Sequence, residues 1–159
     1  MTPQQIRAAI SAEQALVDLA RANPPGVHAI AAALSAGRKE VRSRMVSARG
    51  LAELFPGGPV AAEMVLMKLE QARDQMLQAG TPETQVMGSM LRRQLGFLAA
   101  DGLDFGSAAL RGMLDQFAAL GILTSTEVAG LKSIGEQAAP VTEYQVRCAI
   151  FADDGALLV

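Results

Sequence analysis

Apolar side chains recur at helical spacing along most of this chain, and the turns between the runs are spelled out by residue type. Leu110, Met113, Leu114, Phe117 and Leu120 put one apolar face on a helix that needs covering. Gly121 stands where a left-handed residue would close it. Thr124 and Glu127 have the spacing of a reciprocal N-terminal cap, each side chain reaching the other's backbone amide, with Leu123 and Val128 as the flanking apolar pair. Thr142 and Gln145 repeat the device between Val141 and Val146. Thr2 and Gln5 make a third, with Pro3 in the first helical position.

The rest of the chain reads in the same way. A helix starting at Pro3 runs through Ile10, Leu16 and Leu19, with a hitch at Ser11, until Asn23-Pro24-Pro25-Gly26 stops it. Helices follow over 27–36, ended by Gly37, and over 48–54, ahead of the loop Phe55-Pro56-Gly57-Gly58-Pro59. A long helix over 59–79, with Val60, Met64, Met67 and Leu69 among its apolar positions, is closed by Gly80. Thr81-Pro82 opens the next, which carries Val86, Met90, Leu91, Leu95 and Leu98. Their short connection favours an antiparallel hairpin. Residues 101–106 read as a loop and 152–155 as a turn.

One stretch breaks the helical period. Glu40-Val41-Arg42-Ser43-Arg44-Met45 alternates polar and apolar residues, which predicts an extended segment with Val41 and Met45 on one side and Arg42 and Arg44 on the other. The prediction is therefore an all-α fold, a single compact domain over 1–159 with about six or seven helices and antiparallel hairpins. A short extended basic arm lies over 38–49 and a short apolar C-terminal extension over 156–159. The extension, Ala156-Leu157-Leu158-Val159, is too apolar for a solvated tail, so it is expected to pack or pair, alongside residues 41–45 or on another subunit.

Composition sharpens this picture. Apolar residues make up 50% of the 159, aromatics only 4%, and there are eight Met and no Trp, so the core is one of closely packed thin helices with adaptable filler. The net charge of −2 hides a polarity. Residues 1–50 carry seven basic side chains against three acidic, and residues 101–159 three basic against eight acidic. Opposite ends of this kind suit contact within a chain or between neighbours. The polar, capped first turn predicts no signal peptide. The longest run without Asp, Glu, Lys or Arg is 16 residues, interrupted by Pro24 and Pro25, and predicts no membrane span.

Candidate chemistry is sparse. His28 has no nucleophile or carboxylate at a telling spacing and reads as a structural or surface residue. Cys148, among Val146, Ala149 and Ile150, reads as an inert core thiol. One His and one Cys exclude the usual zinc ligand sets within a chain. The acidic pairs Asp101/Asp104 and Asp153/Asp154 lack the calcium-loop pattern and read as turn residues. Gly37-Arg38-Lys39 lacks the glycine spacing of a phosphate loop. No catalytic residue, metal or cofactor is predicted, and the chain is not read as an enzyme. The functional signal is the basic segment Arg38, Lys39, Arg42, Arg44 and Arg49, which suits an acidic protein surface or phosphates. Without interleaved aromatics or a recognition helix, nucleic acid is the weaker partner, and a merely solvated arm the bland one. Residues 2–12 and 142–152 also match at six of eleven positions, which shared capping on Ala-rich helices explains as well as a duplicated docking element does.

Three stretches carry a resemblance: Leu34-Ser35-Ala36-Gly37-Arg38, Arg44-Met45-Val46-Ser47-Ala48-Arg49-Gly50, and Val141 to Ile150 with the Asp-Asp-Gly that follows. They resemble small, largely uncharacterised helical proteins encoded among the structural genes of tailed bacteriophages. The resemblance implies a virion component of the tail, baseplate or fibre region, made in the host cytoplasm and present in several copies. It would contact other virion proteins and copies of itself. Arg38, Lys39, Arg42, Arg44 and Arg49 would then meet acidic surfaces, and Leu157, Leu158 and Val159 would dock in an apolar groove or along a sheet edge.

Overall fold

The computed structural model describes residues 1–152 and 156–159. The fold is all-helical with small antiparallel strand pairs, and among the described residues there are nine helices. The sequence predicts one compact domain. The described residues instead gather into two compact units, Met1–Glu40 with Ala138–Val159, and Val41–Gln137. The reason is that they bury two separate sets of apolar side chains.

The first unit holds α1 (Pro3–Ser11), α2 (Gln14–Arg21), α3 (Val27–Ser35) and α9 (Glu143–Ile150). The expected hitch at Ser11 is a break between α1 and α2. Ile6 and Ile10 of α1, Ile30 of α3 and Val146 and Ile150 of α9 are wholly buried and lie in one cluster. The two similar segments are thus partners, because α1 packs on α9. Matched positions, Ile6 with Val146 and Ile10 with Ile150, enter the same core. Polar ties reinforce the packing. Arg7 Nε donates to the Ala149 carbonyl at 3.0 Å, and the Val141 amide donates to Ser35 Oγ at 2.8 Å.

The second unit holds β2 (Met45–Val46), α4 (Ala48–Leu54), α5 (Gly58–Gln78), α6 (Pro82–Ala100), β3 (Leu103–Asp104), α7 (Ala108–Ala119) and α8 (Ser125–Ile134). α5 and α6 form the expected hairpin. The two helices are in close contact at Gly88, where an added Cβ would lie 2.9 Å from the Leu77 nitrogen and the Met76 Cβ. The hairpin's inner faces join α7 and α8 around Leu51, Val65, Leu69, Leu91, Leu114 and Leu131. Gly121 has φ 73° and closes α7 as expected. β2 pairs antiparallel with β3, Met45 opposite Asp104 and Val46 opposite Leu103. β3 falls in the stretch read from the sequence as a loop. β1 (Lys39–Val41) forms a two-stranded sheet with β4 (Glu136–Ala138).

Three backbone segments of the second unit cross at close range. A Cβ on Gly106 would collide with the Arg42 carbonyl, and one on Gly135 with the Phe105 carbonyl. Only hydrogen fits at these two positions. The turn read at 152–155 lies, at Asp153, Asp154 and Gly155, outside the described residues.

Candidate interaction surfaces

The basic segment is extended as far as α4, which takes in Arg49, and from Val41 onward it is laid across the second unit. Asp104, the last residue of β3, is the reason. Its carboxylate accepts from the Arg44 amide at 2.7 Å, Ser43 Oγ at 2.8 Å and the Gly106 amide at 2.9 Å. The Arg44 amide bond, then that from Ser43, holds this carboxyl below its usual pKa. The Phe105 amide returns a bond to the Arg44 carbonyl at 3.1 Å, and the Arg42 amide donates to the Gly135 carbonyl at 2.9 Å.

These bonds divide the predicted site residues. Arg38 and Lys39 belong to the first unit, and Arg42, Arg44 and Arg49 to the second. Arg44 is half-buried, and its Nη1 donates to the Ile134 carbonyl at 3.1 Å. The strand breaks after Val41 and resumes at Met45, so the period of two is lost. Val41, Arg42 and Met45 are all exposed. Arg49 meets Glu53 at 3.4 Å on the exposed side of α4, an interaction of small energy.

The C-terminal extension pairs, as expected, but its partner is the end of α9. The Leu158 amide donates to the Ile150 carbonyl at 2.7 Å, one of the acceptors that a helix terminus leaves unsatisfied. Phe151 and Leu157 form an antiparallel bridge, and Arg21 Nε donates to the Val159 carbonyl at 3.3 Å. Val159 packs against the first unit's core. Leu157 and Leu158 stay 42% and 41% exposed.

Two isolated residues complete the sequence candidates. His28 Nδ1 lies 2.9 Å from Glu143 Oε1, and both side chains are well exposed. Cys148 is exposed, contrary to the core position expected, because α9 turns Val146, Ala149 and Ile150 inward and leaves Cys148 outside. Tyr144 lies one turn before it on the same helix. Its phenol is pushed up in pKa, first by its hydrogen bond with the Cys148 thiol and then by that group's charge and by burial.

The surface also carries apolar side chains whose exposure the sequence alone did not show. Val60, Met64 and Met67 of α5 are 75%, 55% and 60% exposed, and Val86, Met90 and Phe97 of α6 are also exposed. The signal was present. α5 carries a second apolar series, Ala62, Val65, Leu69 and Ala72, which is the buried one. A helix apolar on both sides cannot bury both against one layer. Inside the unit, a cavity of about 30 Å³ is lined mainly by Leu, Val, Met and Phe, with Gln94 the one polar lining residue. Such a space suits close packing and offers water almost no partners. Among the described residues no three or more His, Cys, Asp or Glu are grouped to hold a metal ion, and no helix is long and apolar enough to cross a membrane. No family model matches the chain, and neither a curated protein nor a solved structure matches it.

Proposed function

We propose that this chain is a non-enzymatic structural protein of a tailed-phage virion, placed in the tail, baseplate or fibre region and acting through contacts with other virion proteins. The observation that carries the reading is the solvent-facing apolar series on α5, supported by its counterpart on α6. Unshared, such surface costs solubility, and clustered methionine and aromatic side chains of this kind characterise protein interfaces. Leu157 and Leu158, held on a pinned backbone, add a smaller apolar spot on the first unit. The resemblance of the three stretches to phage structural proteins supplies the setting.

The test is physical association with particles. The chain is expected to travel with assembled virions through a density gradient and to remain with them in 1 M salt, on the order of the ionic strength that screens exposed charge pairs to about 3 Å. Recovery only in the particle-free fraction overturns the reading.

A further inference from the structure

We draw no further inference here: the strongest candidate, the solvent-facing apolar series of Val60, Met64 and Met67 on α5 with Val86, Met90 and Phe97 on α6, carries nothing beyond the role proposed above, because nothing in the structure shows what covers it.

Discussion

Asp104 shows how much of the second unit one residue can organise. Its carboxylate holds two amides and a hydroxyl from segments about 60 residues apart in the chain, and so fixes the basic segment beside β3. Because its pKa is lowered in the folded state, the stability it contributes is fully present above the ordinary aspartate value of about 3.9. That stability is lost as pH falls from there through the folded value. Asp104→Asn is expected to lower the urea midpoint at pH 7 and to reduce the fall in midpoint between pH 5 and pH 3 relative to wild type. An unchanged pH slope in the variant would show that the carboxylate is not held as described. Asp104 stood in the sequence only as a turn residue, since its donors Arg44 and Ser43 lie too far off in the chain for spacing to reveal them.

Among the elements, the helix starts were the most legible. Thr2, Thr124 and Thr142 each form the reciprocal cap that their spacing predicts, because a cap is made within four residues. Spacing did not reveal that Glu127 also accepts from Lys68 Nζ of α5 at 2.6 Å. That bond, and then those from Thr124, depress its carboxyl pKa. Glu127 therefore caps α8 and ties it to α5. Glu127→Ala is expected to destabilise the protein by about 1–2 kcal/mol, at the upper end for a capping residue, by thermal or urea unfolding. Gln145→Ala in α9, a cap for which no such second partner is seen, should cost less. The short strands were the least legible elements. β3 is two residues and β4 three, too few to show a period, and each is extended because a distant segment supplies its hydrogen bonds.

At the scale of the whole molecule, the consequence is two cores in one chain. Among the described residues, no buried side chain belongs to both clusters. Ile10→Ala, in a wholly buried position of the first unit, is expected to cost about 2–5 kcal/mol there. Hydrogen exchange should then quicken in α1, α3 and α9 while the central amides of α5 and α6 keep their protection. Uniform loss of protection across both units would show that the two cores unfold as one.

The sequence by itself determined the helical class, the caps, the hairpin of α5 and α6 and the left-handed turn at Gly121, because each depends on neighbours within a few positions along the chain. Tertiary structure alone decided that α1 pairs with α9, that Arg44 turns inward, that Cys148 faces out, and which of the two apolar series on α5 is buried. Those outcomes depend on which distant surface arrives to complete a core or satisfy a backbone group. A local pattern can show that a face must be covered, but not what will cover it.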